Sequence, residues 1–289
     1  MSPRVLLAAC ADLPTSDGDD DALPGALAEF GVDAEWVVWD SGADMSAADL
    51  VVLRATWDYT DRLPDFLTWC DSVPSLANPA DVVRWNTDKA YLVALASAGV
   101  SVVPTELVAP GERAHWPDDE FVVKPSVGAG SRGAARFAPG ADEAAAEHLA
   151  SLHAAGRTAV VQPYQSFVDA EGETALVYFG GIYSHAFTKS AMLSGHAVSD
   201  ASGLFVTERL APAEPDAARR QLAEDALDAA ASLLGLRRND LLYARVDVVS
   251  GADGKPLLLE LELAEPSLGF RQTDGGAPLR FASAVRAAL

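Results

Sequence analysis

Near the C-terminus the chain reads LLYARVDVVSGADGKPLLLELELAEPS over residues 241–267. Two alternating runs, 242–249 and 256–263, flank a turn containing Asp253-Gly254, a dipeptide that accepts the positive φ angles of a tight hairpin. Side chains alternate along a strand, so Arg245 and Asp247 share one face, and Glu260 and Glu262 share one face of the neighbour. Leu, Val and Ala fill the opposite faces. Three carboxylates converging on one side of a ribbon repel unless a cation sits among them, and hard oxygen donors select Mg2+ or Mn2+. The competing reading is a solvated polar face, and against it this face is acidic throughout apart from one arginine.

A second constellation lies at 120–133. EFVVKP has the pattern of a buried strand ending in Lys124, and Ser126-Val127-Gly128-Ala129-Gly130-Ser131-Arg132-Gly133 follows directly. Glycines at 128, 130 and 133 permit positive φ and close approach of backbone N–H groups to an anion, while the serines and Arg132 add donors. The G-x-G-x-x-G spacing is out of place for a dinucleotide fold, whose fingerprint follows the first strand and opens a helix. Here residues 134–137 look like another strand. No G-K-[ST] occurs, which excludes a Walker A loop. What is left is a hairpin that closes over phosphates or a plain turn.

The run Arg54-Ala55-Thr56-Trp57-Asp58-Tyr59 leaves a buried strand, and its cation, aromatic rings and carboxylate suit a small zwitterion; a loop with an aromatic packing anchor is the alternative. Lys89 falls in the first turn of a helix expected over 86–98, with Asn86 or Thr87 as cap and Gly99 as stop. On spacing alone a solvated lysine is the commoner reading, with a phosphate contact as the alternative.

The elements that must position these residues begin with 4–10, a continuous apolar run typical of a strand buried on both faces of a parallel sheet. A helix over 19–30, a strand over 35–39 and a buried strand over 50–54 complete a small doubly wound α/β module. Ligands bind beyond the carboxyl ends of such strands, where the Arg54–Tyr59 segment emerges. Further on, a helix (141–155) precedes a strand (159–164) and a polar loop (165–172). Strands 174–179 and 182–187 are joined by Gly180-Gly181, and Lys189 sits just past them. Pro215 opens a long Ala-rich helix to about Leu234.

With 289 residues, 49% of them hydrophobic, the chain has length and apolar content for two or three packed modules. Lys plus Arg number 21 against 42 Asp plus Glu, a net charge of −21 that repels nucleic-acid backbones and anionic lipid surfaces. No apolar run approaches the roughly 20 residues of a spanning helix, and the first apolar stretch is too short for a secretory signal. The two cysteines, Cys10 and Cys70, have no C-x-x-C spacing and read as buried thiols. A cytoplasmic location is expected.

Together, the lysine at 89, the strand-end Lys124 with its Gly/Ser loop, and Arg245-x-Asp247 followed by Glu260-x-Glu262 resemble the ATP-grasp superfamily in order and spacing. RATWDYTDRLPDFLTW, NPADVVRWNTDK and GETALVYFGGIYSHAFTK are similar to the glutathione-synthetase-like branch, in particular the O-ureido-serine cyclo-ligases of cycloserine biosynthesis. The resemblance implies an α/β ATP-grasp fold: an N-terminal parallel-sheet domain (1–85), a linker and helix (86–114), a central lid domain (115–187) and a C-terminal antiparallel sheet bearing the metal site (188–289). It further implies that Lys89 and Lys124 contact ATP phosphates, that 128–133 form a mobile lid, and that the hinge 162–164 (Gln162, Tyr164) recognises adenine. Asp169 or Glu171 would reach the ribose. Asp247, Glu260 and Glu262 would hold magnesium, with Glu262 in place of the commoner Asn, and Arg245 would face an acyl phosphate. Lys189 would meet a phosphate or the substrate.

The implied activity is ATP-dependent carboxylate–amine ligation of a small amino-acid substrate, intramolecular or between two molecules. A nucleotide-binding module without catalysis is the alternative of another class. Dimers are common among relatives, so a homodimer is an open expectation.

Overall fold

The computed structural model describes residues 2–191, 193, 202–204 and 209–289. The first apolar run forms β1 (Arg4–Ala9), which lies inside a wholly parallel sheet of order β2-β1-β3-β4 with β2 (Asp33–Val38), β3 (Leu50–Ala55) and β4 (Leu76–Ala77). The helix expected over 19–30 is shorter: α1 spans Leu23–Glu29, with Pro24 in its first turn. Asp19 and Asp20 stay outside it because tertiary partners take their carboxylates, the Arg271 N–H for Asp19 and the Arg54 guanidinium for Asp20.

After α2 (Leu63–Ser72), the single helix expected over 86–98 is two, α3 (Ala80–Asn86) and α4 (Tyr91–Ser97). Asn86 ends the first helix because its amide is committed across the molecule: Nδ2 donates to Leu261 O at 2.7 Å and Oδ1 accepts Leu263 N–H at 2.6 Å. Asp88 restarts the chain by accepting the Ala90 N–H. Lys89 therefore lies in the break between two helices.

A second sheet, order β5-β8-β6-β7, is antiparallel: β5 (Glu106–Val108), β6 (Phe121–Pro125), β7 (Ala135–Phe137) and β8 (Ala159–Pro163). Helix α5 (Asp142–Ala154) covers it with Ala145, Leu149 and Leu152. One short turn, α6 (Val168–Glu171), interrupts the polar loop.

The third sheet runs β11-β10-β9-β12-β13, with β9 (Glu173–Phe179), β10 (Ile182–Lys189), β11 (Leu210–Ala213), β12 (Tyr243–Ser250) and β13 (Pro256–Glu262). The Gly180-Gly181 hairpin, expected within the central unit ending at 187, instead bonds β12 along its length, Tyr243 opposite Phe179 and Asp247 opposite Ala175. Packing explains this: Leu176 and Tyr178 bury one face against α7 (Ala217–Leu233), and Val177 and Phe179 bury the other with Phe281 and Val285 of α8 (Ala277–Ala288). The same apolar cluster includes Val5 and Leu7 of β1, so one core ties the first sheet to the third.

Candidate active site

The hairpin of β12 and β13 has the register that alternation predicts: Arg245 stands opposite Glu262 and Asp247 opposite Glu260, with a bulge just after Asp247. Every residue of β12 is buried. Strand β13 is the sheet's edge; the main chain of residues 101–103 pairs its outer side at Leu258, and side chains satisfy the outer backbone groups beyond it. Asn86 bonds Leu261 and Leu263, the Tyr91 hydroxyl accepts the Leu261 N–H, and Asn78 donates to Leu263 O at 2.6 Å. An unpaired edge is thereby converted into a fixed shelf for two glutamates.

Asp247, Glu260 and Glu262 each offer an oxygen within 4.8 Å of the others, an all-oxygen set suited to a hard divalent cation. Protein cations already balance these carboxylates, a possibility the sequence reading did not weigh. Lys124 Nζ lies 2.7 Å and Lys89 Nζ 3.8 Å from Glu260. Lys189 Nζ bonds Asp247 at 2.7 Å and Glu173 at 2.8 Å, and Arg245 bridges Asp247 at 2.9 Å and Glu262. Burial opposes ionisation of Asp247 and Glu260, but Arg245 and Lys189 outweigh it at the first, and the three lysines at the second. Both carboxyls fall below their usual range. At Glu262 burial wins, helped by Asp247 and Glu260, and its carboxyl is pushed up to about 7.

A cavity of about 540 Å³ opens over this face. Lys89, Lys124, Gly128, Gly130, Ser131, Gln162, Tyr164, Lys189, Arg245, Glu260 and Glu262 all line it. Asp247 is wholly buried and Gly133 lies behind the loop, packed on Pro125. The loop takes positive φ at Gly130, Ser131 and Gly133, and Lys89 Nζ donates to Gly128 O at 2.8 Å. Arg132 ties the loop to the first domain through Asp61 and the Thr60 hydroxyl.

Four expected contacts need correction, because none of these residues lines the cavity. Asp169 is held by Arg136 and the Tyr164 hydroxyl, and Glu171 by Ser250 and Arg219. Arg54 is 1% exposed and spent on Asp20 and Pro266 O. Asp58 turns away to the Trp39 indole and Arg62. Trp57 and Tyr59 of the same segment do face the cavity. The sequence reading missed Glu173, Glu265, Arg271 and the clamp residue Asn86. Glu173 could have been suspected from its place three residues before the alternating apolar run's centre, but the other three lie in loops or helix ends whose partners are remote.

The architecture is shared with solved ligases. A D-alanine–D-alanine ligase from Bacillus anthracis complexed with ATP matches with TM-score 0.62 at 14% identity, covering 99% of this chain and 98% of that one. The ATP-grasp ligase PsnB, complexed with a minimal precursor, matches with TM-score 0.61 at 16% identity over the full length of both. The fold is that of the ATP-grasp ligases.

Within that class, residues 5–80 match the family model described as D-cycloserine synthetase DcsG, N-terminal domain. The cycloserine biosynthesis protein DcsG of Streptomyces lavendulae is 39% identical over 99% of this chain and 98% of its own length. The crystal structure of D-cycloserine synthetase DcsG matches with TM-score 0.86 at 36% identity, covering 98% of this chain and 99% of that one. The chain belongs to the DcsG family of cycloserine synthetases, and it is an ATP-dependent ligase that forms a carbon–nitrogen bond. Among the described residues, no helix is long and apolar enough to cross a membrane.

Proposed function

We propose that this enzyme closes a ring within an O-ureido-serine-type amino acid at the expense of ATP. The observation that carries the reading is the full-length 39% identity to a cycloserine biosynthesis protein.

A carboxylate does not react with an amine at neutral pH, because its leaving group would be oxide or hydroxide. Transfer of the γ-phosphoryl group from ATP to the substrate carboxylate gives an acyl phosphate and ADP. Lys89, Lys124 and the N–H groups of the glycine loop offer the fixed positive field that the triphosphate needs. Asp247, Glu260 and Glu262 would hold Mg2+, with Mn2+ a chemical equivalent, and a bound ion supplies charge neutralisation for phosphoryl transfer. The hinge at Gln162–Tyr164 would take adenine.

Next, the oxygen-bearing ureido nitrogen attacks the acyl carbon, its proton passes to solvent, and phosphate leaves. Arg245, which lines the cavity, stabilises the tetrahedral oxyanion. Water then removes the carbamoyl group as carbon dioxide and ammonia. The test is incubation with ATP, Mg2+ and O-ureido-serine, with product mass and ADP release as readouts. A ring product with matching ADP supports the reading; silence with that substrate, alongside joining of an amino acid to a separate amine, overturns it.

A further inference from the structure

Glu265 has no assigned role, yet its surroundings are built. It follows β13 in a loop, is 6% exposed and lines the cavity. Its main chain is held by the Trp57 indole, which donates to Glu265 O at 3.0 Å. The Tyr59 hydroxyl lies beside its carboxyl, yet Oε2 has no partner. A buried carboxyl oxygen without a donor is costly, and native structures keep such a group where a ligand completes it.

The missing donor belongs to neither the triphosphate nor the metal. A carboxylate repels phosphate, and the oxygens that gather for a cation are those of Asp247, Glu260 and Glu262, without Glu265. No salt bridge is found at Glu265 among the described residues; Lys89 and Arg245 act on it only at longer range, and Lys89, Lys124 and Arg245 each have a closer carboxylate. Asp19 Oδ2 is a second buried oxygen without a partner on the same cavity. Glu265 and Asp19 share the cavity wall with Trp57, Tyr59 and the cations Arg132 and Arg271, a lining of both charges that suits a zwitterion.

We infer that Glu265, oriented by Trp57 and Tyr59, binds the ammonium group of the amino-acid substrate. This replaces Asp58 as the carboxylate of the expected zwitterion site, and it rests on the reading above that the substrate is an amino acid.

The test compares wild type, Glu265→Gln and Glu265→Asp on O-ureido-serine and on the same acid lacking its amino group, with the KM for ATP as the control for folding. Wild type prefers the amino acid. Glu265→Gln raises its KM about tenfold to a hundredfold, as expected for a lost charge-assisted hydrogen bond, leaves the KM for ATP unchanged and erases the preference; Glu265→Asp keeps the preference. An unchanged KM, a fall in kcat alone, or an equal loss on both acids overturns the inference, as does a wild type indifferent to the amino group, a result that needs no variant to fold. If wild type binds the amino acid without closing the ring, the cyclisation reading fails separately, and calorimetric titration decides this one: weaker binding to Glu265→Gln supports it, whereas equal binding, or none to wild type, overturns it.

Discussion

Lys124 Nζ stands 2.7 Å from Glu260 Oε1, joining residues 136 positions apart in sequence. Lys124 ends the second sheet's β6, and Glu260 belongs to the third sheet's β13, so this pair couples the phosphate side of the cavity to the carboxylate side.

Glu260 is where Lys124 and Lys89 meet, and it is one of the three candidate metal ligands. Glu260→Gln should lower turnover at least about a hundredfold with an unchanged circular dichroism spectrum; unaltered activity would make the carboxylate surface decoration. Asp247→Asn differs, because it removes the charge that two buried cations, Lys189 and Arg245, share. It should lose about 3 kcal/mol of stability or more in denaturant titration.

Lys124→Ala removes a cation from the phosphate side and leaves Glu260 less compensated. The dissociation constant for ATP should rise about tenfold or more, measured by calorimetry. An unchanged constant would refute its role.

Stability should depend on pH through the buried acids. Burial raises Asp20 to about 6 against the pull of Arg54, Glu262 to about 7, and Glu265 to about 8 with Glu262 contributing. Each binds its proton more tightly folded than unfolded, so each contributes stability that is lost as pH rises from the ordinary carboxyl value through its folded one. Burial of His185 lowers its pKa and acts in the opposite sense. Three acids against one base make the Tm of the ligand-free protein fall between about pH 5 and pH 8. Glu265→Gln should flatten that slope, and an identical slope would contradict the assignment.

Gly172 sits at φ 73°, and a Cβ there would meet Lys189 O at 2.4 Å. Gly172→Ala should therefore cost about 1–3 kcal/mol. It should also reduce turnover, because it separates the strand ends that hold Glu173 against Lys189. Stability measured by thermal melts and activity on the same preparation check both effects; retention of both would show that the backbone yields there.

Much of the carboxylate shelf was legible in the sequence because strand alternation is local: the two-residue period places Arg245 with Asp247 and Glu260 with Glu262 before any fold is known. The break at Lys89 was hidden because Asn86 looks like a helix cap, and only β13, some 175 residues away, explains why it ends a helix instead. Arg54 resembled a ligand-binding cation for the same reason, since its partner Asp20 lies in a different loop. Glu265 follows the last strand with no periodic signal, and its significance arises from packing against Trp57 and Tyr59.

The central claim is activation of a substrate carboxylate by phosphoryl transfer followed by closure onto a nitrogen of the same molecule. Its most direct test uses O-ureido-serine labelled with heavy oxygen in both carboxylate positions, with mass spectrometry of the phosphate and the organic product. The account predicts one labelled oxygen in the released phosphate and one in the ring carbonyl, with no second amine incorporated. Unlabelled phosphate, or a product carrying a second amine, would contradict it.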